Sequence, residues 1–341
     1  MTDRLKLDPD LVPAHTTAAT TSIARWVEQH YGIQVQHCHL IRRGLNDNYA
    51  LRSIDGKHYV VRLYSIRPRG EFNVSFEVSL LVHLDAHGVG VAAPVQTANG
   101  CTHVPLQFPE GPRAMALFQH AEGSLPDSLE DFELTGKVLA HIHRVAHDYA
   151  GPPSRYTLNG HHLAGQTLEY LRVYPDLDTE LLETYHQRVA QLLDELGQVE
   201  SELTRVVCHG DTHGFNNHVG TDAAGARRAV FFDFDDAGPG FLAYDLSVLP
   251  WSYLTRKVLK EPDALLLDRW AHYLCGYRSG GGEISKADMA ALPMFVQLRH
   301  LWNMGEGIGR LHHWGTSTMP ADWLKKQVDV LAAWKGLDLP T

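Results

Sequence analysis

The spacing of hydrophobic and polar residues in the first third of the chain predicts short strands and one main helix. Two β-prone segments, 49–54 and 58–64, are joined by Asp55-Gly56, a strong signal for a two-residue hairpin. Segment 71–87 places Phe76, Leu80 and Leu84 on one face of a helix and is followed by Gly88. We therefore expect a small antiparallel sheet with one main helix over residues 1–118.

Helical spacing dominates the rest of the chain. Apolar residues recur every three or four positions within 134–145 and 181–193, and further helices are expected over 257–277, 286–312 and 322–334. The polar segment 119–126 has the composition of a linker. The predicted fold class is α+β, with an N-terminal lobe (1–118), a hinge (119–126) and a larger, mostly helical C-terminal lobe (127–341).

The stretch 206–236 combines apolar segments with a dense set of polar groups. An apolar run at 206–208 leads into the polar loop 209–216, and a second run at 229–232 precedes Asp233, Asp235 and Asp236. We expect the two runs to be neighbouring strands that bring a carboxylate, an amide and an acidic cluster together. Such oxygen ligands suit a divalent cation beside an oriented hydroxyl.

Composition and charge exclude several classes of function. The formal net charge of −10 argues against sequence-independent binding of nucleic acid, and it suits a cationic small substrate. Four dispersed cysteines without a CxxC pair indicate neither structural zinc nor disulfides, so a cytoplasmic protein is expected. The N-terminal residues lack the apolar segment of a signal peptide, and no apolar stretch is long enough to predict a membrane span.

The polar loop has the spacing of a phosphoryl-transfer site. Asp211 and Asn216 form a D-x-x-x-x-N pattern, and Asp233 follows 17 residues after Asn216. In kinase-type sites one carboxylate orients the attacking hydroxyl, while an amide and a second carboxylate hold Mg²⁺ against the nucleotide. This spacing predicts Asp211, Asn216 and Asp233 as catalytic residues, with Asn216 and Asp233 as the metal ligands.

These motifs resemble those of a known kinase superfamily. His209-Gly210-Asp211 with Asn216, followed by Phe232-Asp233, resembles the catalytic motifs of the aminoglycoside-phosphotransferase-like kinases, which include choline, ethanolamine and homoserine kinases and a bacterial stress-response Ser/Thr kinase. Segments 298–303 and 313–315 resemble most the homoserine-kinase and stress-kinase branch. The resemblance covers roughly residues 30–335 and implies a bilobal, protein-kinase-like fold that uses ATP and Mg²⁺.

The resemblance also implies a nucleotide site in the N-terminal lobe. Arg62 stands where the family usually has a phosphate-binding Lys, and Glu77 stands at the position of its ion-pair partner. Asn48 closes the turn 44–48 that would cover the nucleotide, and Gln119 and His120 lie in the hinge. Arg62 is a departure from the family pattern, because a guanidinium is planar and bidentate whereas an ammonium is a compact point charge.

Structural alternatives exist for several of these residues. Arg62 and Glu77 could form an exposed pair of little energetic weight, and Asp235 and Asp236 could belong either to the site or to a solvated turn. Asp245 is expected to bind loop backbone, and His209 to hold the loop by hydrogen bonding. Cys208 is expected to lie in the core.

The function predicted from these residues is that of an ATP-dependent kinase acting on the hydroxyl of a small molecule. The acceptor classes are an amino alcohol, a hydroxy amino acid such as homoserine, or an aminoglycoside-like compound. A protein Ser/Thr kinase of the same fold is the main alternative. Two others are a nucleotide-binding pseudokinase, suggested by Arg62, and a haloacid-dehalogenase-like phosphatase, suggested by the apolar strand and DxD at 230–235. No Walker-type motif is present, which excludes a P-loop kinase.

Overall fold

The computed structural model describes residues 8–65, 73–175, 177–222, 225–316 and 319–340. Segment 71–72 of the predicted first-lobe helix and the side chains of His313 and Trp314 lie outside the described residues. Two compact units make up the chain. One comprises Met1–Val74 and Pro94–His120, and the other comprises Ser75–Ala93 and Ala121–Thr341.

In its described residues, the first unit is a five-stranded antiparallel sheet with one helix. Its elements are α1 (Thr20–Tyr31), β1 (Val35–Arg43), β2 (Asp47–Ser53), β3 (His58–Leu63), β4 (Val104–Phe108) and β5 (Gly111–Gln119). The strand order is β1-β2-β3-β5-β4. The hairpin predicted at Asp55-Gly56 is confirmed, since β2 and β3 pair across it from Arg52 and His58. Ile23 and Val27 of α1 are buried in a core with Val61 and other sheet residues.

The second unit is mostly helical. Its helices are α2 (Val74–Ala86, of which the first residue belongs to the other unit), α3 (Leu129–Ala146), α4 (Gln166–Arg172), α5 (Thr179–Val199), α6 (Leu242–Lys257), α7 (Ala264–Ser279), α8 (Lys286–Ile308), α9 (Leu311–Trp314) and α10 (Ala321–Ala333). Its strands are β6 (Arg205–Cys208), β7 (Asn217–Thr221), β8 (Arg227–Phe231) and β9 (Gly238–Phe241). The predicted α+β class is confirmed.

The pairing of the strands around the polar loop differs from the prediction. β6 pairs with β9, and β8 pairs with β7, so the two apolar runs are not neighbouring strands. Their partners were missed because NHVGT and GPGF contain Gly, Asn and Pro, which are poor strand formers. The loop 209–216 therefore connects two small antiparallel ribbons.

The helix predicted over 257–277 was also misplaced at its start. Residues up to Lys257 belong to α6, which contains Pro250 and was not predicted as a helix. The next helix, α7, begins at Ala264 because the Asp263 side chain accepts a hydrogen bond from the Leu266 N–H and caps it. In the described part of the chain, no helix combines the length and apolarity needed to cross a membrane.

Candidate active site

The polar loop begins with a glycine that the local backbone requires. Gly210 has φ +86°, in the left-handed region, and a Cβ at this position would lie 2.2 Å from the carbonyl oxygen of Asp236. Cys208, just before the loop, is fully buried, which confirms its predicted place in the core. The loop thus leaves β6 through a turn that packs directly against the backbone following β8.

Asp245, in the first turn of α6, anchors the loop backbone. This fully buried carboxylate accepts hydrogen bonds from the His209 N–H (2.7 Å) and the Gly210 N–H (2.8 Å). Its Oδ2 also lies 2.9 Å from Nε2 of His143. The expectation that Asp245 binds loop backbone is confirmed. A buried carboxylate with these partners holds the start of the loop in one conformation.

His209 connects the loop to the residue before Asp233. Burial lowers the pKa of His209, which favours a neutral ring. Its Nε2 lies 3.1 Å from the carbonyl oxygen of Phe232, and its Nδ1 accepts a hydrogen bond from the Asp211 N–H (3.2 Å). A neutral ring with its proton on Nε2 satisfies both contacts. The predicted structural role of His209 is therefore confirmed.

Both carboxylate oxygens of Asp211 have partners. Arg299 of α8 donates to Oδ1, while Asn216 Nδ2 donates to Oδ2 at 2.9 Å and to the Asp211 carbonyl at 3.0 Å. His213 Nε2 lies 3.2 Å from the same Oδ2. The side chain of Asp211 is 17% exposed, so a ligand can reach it. The structure thus brings together Asp211 and Asn216, the predicted catalytic pair.

These contacts set the charge of Asp211. Burial raises the pKa of Asp211, but the charge of Arg299 and the contact with His213 outweigh it, so the pKa falls below its usual range. Asp211 is consequently ionised at neutral pH, and its carboxylate is an acceptor of hydrogen bonds from whatever lies at its exposed side.

Arg299 contacts Asp211, and this site residue was not predicted from the sequence. Its guanidinium also donates to the Gly210 carbonyl and the Tyr244 hydroxyl, each at 3.1 Å. It lies 4.6 Å from the ring centroid of Trp251 and 4.2 Å from that of Trp302. The sequence does contain a sign of this contact, since Arg299 stands within the long apolar stretch of α8. An arginine buried in such a stretch requires an anionic partner.

Asn216 and Asp233 flank the same end of the β7–β8 ribbon. Asn217 pairs with Phe231, and the Phe232 N–H donates to the Asn216 carbonyl at 3.0 Å. Asp233 has φ +69°, a left-handed conformation that an aspartate tolerates but few other residues adopt. Strained backbone of this kind is concentrated at functional sites. The predicted metal ligands are therefore adjacent along the ribbon end.

The amide of Asn216 is oriented by Asp211. Because its Nδ2 donates twice to Asp211, its Oδ1 is the atom left to face a cation. An amide oxygen and a carboxylate are hard ligands, and Mg²⁺ needs only one or two protein ligands when phosphates and waters supply the rest. The residues present fit a magnesium ion.

Asp235 and Asp236 are buried, with 9% and 5% of their surface exposed. The alternative that these two residues belong to a solvated turn is therefore wrong.

The predicted nucleotide-binding residues lie in both units. In the first unit, Arg62 on β3 is buried, and its Nε donates to Asn48 Oδ1 at 3.4 Å. Gln119 ends β5, and the His120 N–H donates to the His58 carbonyl at 3.3 Å. In the second unit, Glu77 on α2 is fully buried. The alternative of an exposed Arg62–Glu77 pair is therefore wrong.

The chain is similar in sequence to two curated proteins and in fold to a solved kinase structure. An uncharacterized protein of Deinococcus radiodurans is 34% identical over 94% of this chain and 91% of its own length. The amicoumacin kinase of Bacillus subtilis is 23% identical over 75% of each chain. The solved structure of the amicoumacin kinase hAmiN, in complex with AMP-PNP, Ca²⁺ and Ami, has a TM-score of 0.74 and 21% identity, covering 94% of this chain and 96% of that one.

The match to a protein family covers most of the chain. Residues 38–282 match the phosphotransferase enzyme family, and this range includes the DxD at 233–235. A haloacid-dehalogenase-like phosphatase is therefore unsupported, while the predicted superfamily, kinase-like fold and phosphotransferase class are confirmed. The chain belongs to the phosphotransferase enzyme family.

Proposed function

We propose that this protein is an ATP-dependent kinase that transfers the γ-phosphoryl group to a hydroxyl of a small molecule. The observation that carries the proposal is the pair of hydrogen bonds from Asn216 Nδ2 to Asp211. One residue thereby links a carboxylate that can orient a hydroxyl to an amide oxygen that can face a metal ion. Phosphoryl transfer requires these two functions side by side.

Asp211 receives the acceptor hydroxyl. Its low pKa makes it a weak base, so its first role is to accept a hydrogen bond that aims the oxygen at phosphorus. As the bond from oxygen to γ-phosphorus forms, the bond to the β,γ-bridging oxygen breaks and ADP leaves. The hydroxyl proton passes to Asp211 and then to solvent. Arg299 keeps the carboxylate oriented and ionised before each turnover.

Asn216 and Asp233 would hold the magnesium ion. A bound Mg²⁺ neutralises charge on the nucleotide phosphates. The Phe232 N–H donates to the Asn216 carbonyl and keeps the two ligand residues in register, while His209 Nε2 contacts the Phe232 carbonyl and ties it to the loop. The chain's own contribution is thus a preorganised pair of oxygen ligands.

The nucleotide would bind to the N-terminal lobe (1–118) and the hinge. Arg62 would contact its phosphates in place of lysine, with Asn48 positioning it. Gln119 and His120 would lie beside the base. Arg62 is held by aromatic faces, 5.7 Å from the ring centroid of Tyr64 and 5.4 Å from that of Phe118, which restricts its flexible side chain.

An ADP-release screen tests this function. Amino alcohols, hydroxy amino acids, aminoglycosides and sugars are offered with ATP and Mg²⁺, and at least one is expected to accelerate ADP release. Asp211→Asn should lower that rate by about a hundredfold or more. Asp222→Asn, which removes a carboxylate from a loop outside the site, is the matched control and should keep the rate.

Three outcomes would overturn the proposal. An Asp211→Asn protein that works at the wild-type rate would remove Asp211 from the chemistry. Labelling of protein substrates without turnover of any small molecule would favour the protein Ser/Thr kinase alternative, and tight ATP binding without transfer to any acceptor would favour a pseudokinase.

A further inference from the structure

A cavity of about 420 Å³ lies in the second unit beside the polar loop 209–216, which we call the catalytic loop. Gly214 and Phe215, between Asp211 and Asn216, form part of its wall, and the rest comes from residues 125–132, α6 and α7. Its volume falls in the range of small-molecule sites. Phe215 is four residues from Asp211, so their Cα atoms are at most about 14 Å apart. The wall of the cavity is therefore one short loop segment away from the proposed catalytic carboxylate.

The floor of the cavity is apolar. Phe132, Leu249 and Leu266 are each buried, and Pro126 lies beside them. Phe215 is 44% exposed, which is unusual for a phenylalanine in a polar loop. Such walls favour a ligand with an apolar body over a fully hydrophilic sugar.

The charged groups around the cavity are mostly cationic. Among the lining residues that the structure describes, the cations are Arg256, Lys257 and Arg269, and the carboxylate is Asp127. The Asp127 side chain is 94% exposed, and its Oδ1 lies 3.4 Å from Arg269. An amine-bearing acceptor would need carboxylates in its pocket, and the one available is exposed and already faces an arginine.

Arg269 is placed to bind an anion. Its guanidinium lies 4.9 Å from the ring centroid of Phe132 and 5.9 Å from that of Tyr253, so aromatic faces hold it over the cavity. Its Nε is buried and, within the described part of the chain, has no hydrogen-bond acceptor. Nε and one Nη of an arginine form a fork that matches a carboxylate.

The other two cations have different roles. Lys257 lies 3.2 Å from Asp263 Oδ2, so much of its charge is balanced. Arg256 stacks on Phe215 at 3.3 Å from the ring centroid, which couples the cavity to the catalytic loop. Arg269 is the strongest candidate to hold the charged end of a ligand, because its Asp127 partner is 94% exposed and its Nε has no acceptor among the described residues.

We propose that this cavity binds the carboxylate of the acceptor, so that the substrate class is a hydroxy acid with an apolar body. The inference rests on the proposed kinase function and narrows it. Against the expectation of a cationic acceptor from net charge alone, the charges next to the loop favour an acid over an amino alcohol or an aminoglycoside.

Two matched ligand pairs test the charge preference. Calorimetry without ATP compares phenyllactate with its neutral amide, phenyllactamide, and ADP release compares homoserine with 3-amino-1-propanol, which lacks only the carboxylate. Phenyllactate is expected to bind about tenfold or more tightly than phenyllactamide, and homoserine to stimulate ADP release about tenfold or more over its partner, because hydrogen bonds to charged groups are strong. Equal binding of phenyllactate and phenyllactamide would overturn the cavity proposal.

Protein variants locate the effect. Arg269→Gln should abolish the preference for acids. Arg256→Gln should weaken that preference, and because Arg256 is exposed, this substitution does not alter a buried side chain. Arg205→Gln is the matched control, because Arg205 also stacks on an aromatic ring (3.8 Å from the Phe241 centroid) and contacts a carboxylate, but outside the cavity. An acid preference that survives in both cavity variants would place the anion site elsewhere and overturn the proposal.

The experiment separates this inference from the kinase function. ADP release stimulated by amines and acids alike, with no effect of Arg269→Gln on KM, leaves the kinase standing and overturns the acid site. Acid-selective binding that Arg269→Gln removes, together with no ADP release from any acceptor, supports the anion site and overturns the kinase.

Discussion

Arg299 donates a hydrogen bond to Oδ1 of Asp211, although the two residues are 88 positions apart in the sequence. The arginine side chain is buried, whereas the aspartate side chain stays 17% exposed. The pair therefore joins an enclosed cation to the carboxylate that we propose orients the acceptor hydroxyl. A buried cation beside a reacting group both orients it and sets its protonation.

Replacing Arg299 should shift the pH dependence of the reaction. In Arg299→Gln the burial of Asp211 is no longer offset by the charge of Arg299, so the pKa of Asp211 should rise. The acid limb of the pH–rate profile should then move to higher pH, and kcat should fall about a hundredfold. Arg299→Lys keeps the charge and should move the limb less. An unchanged acid limb in Arg299→Gln would show that Arg299 does not control Asp211.

Two substitutions of Asn216 should separate metal binding from the orientation of Asp211. Asn216→Leu removes both the amide oxygen and the Nδ2 donor, so the concentration of Mg²⁺ needed for half-maximal rate should rise about 10–100-fold. Asn216→Asp keeps an oxygen ligand but places a second carboxylate against Asp211. It should retain Mg²⁺ dependence close to wild type while kcat falls. Equal Mg²⁺ dependence in both variants would exclude Asn216 as a ligand.

Arg62→Lys tests the departure from the family's usual residue. Lysine can bind phosphate as a point charge, so KM for ATP should stay within about tenfold of wild type. Arg62→Gln removes the charge and should raise KM for ATP by about tenfold or more, since hydrogen bonds to charged groups are strong. Steady-state kinetics at saturating acceptor measure both. If Arg62→Gln leaves KM for ATP unchanged, the nucleotide phosphates do not contact Arg62.

The parts of the fold that the sequence predicted are local. Asp55-Gly56 specifies its hairpin through turn geometry within two residues, and the spacing of Asp211 and Asn216 places them in one short loop. The missed features depend on distant segments. No local pattern pairs β6 with β9, and Arg299 reaches Asp211 only because α8 packs under the loop. The cavity beside Phe215 likewise exists only after α6 and α7 have packed.

Asp245 should be needed for both stability and activity. Asp245→Ala leaves the N–H groups of His209 and Gly210 without their acceptor in a buried place, which should lower the free energy of unfolding by about 3 kcal/mol or more. Denaturant unfolding measures that loss. Asp288→Ala is the control: Asp288 is equally buried and accepts from the Thr204 N–H at 2.9 Å, but away from the loop.

The two variants should differ in activity per folded molecule. Asp245→Ala should lose most of its kcat because the catalytic loop is released, whereas Asp288→Ala should keep it under conditions where it is folded. If both variants lose kcat in proportion to stability alone, Asp245 acts on the fold as a whole and not on the loop.

Gly210→Ala and Gly214→Ala should differ sharply in stability, although both lie in the same loop. Alanine at position 210 would have to adopt φ +86°, and its Cβ would lie 2.2 Å from the backbone oxygen of Asp236. Neither the backbone strain nor the clash can be relieved without moving the loop. The free energy of unfolding should fall by at least about 2 kcal/mol. At position 214 the nearest atom, of Pro126, would be 3.8 Å away, so the change should stay within about 0.5 kcal/mol. Thermal or denaturant unfolding of the two variants decides the matter, and equal stability would mean that the loop does not hold this turn in solution.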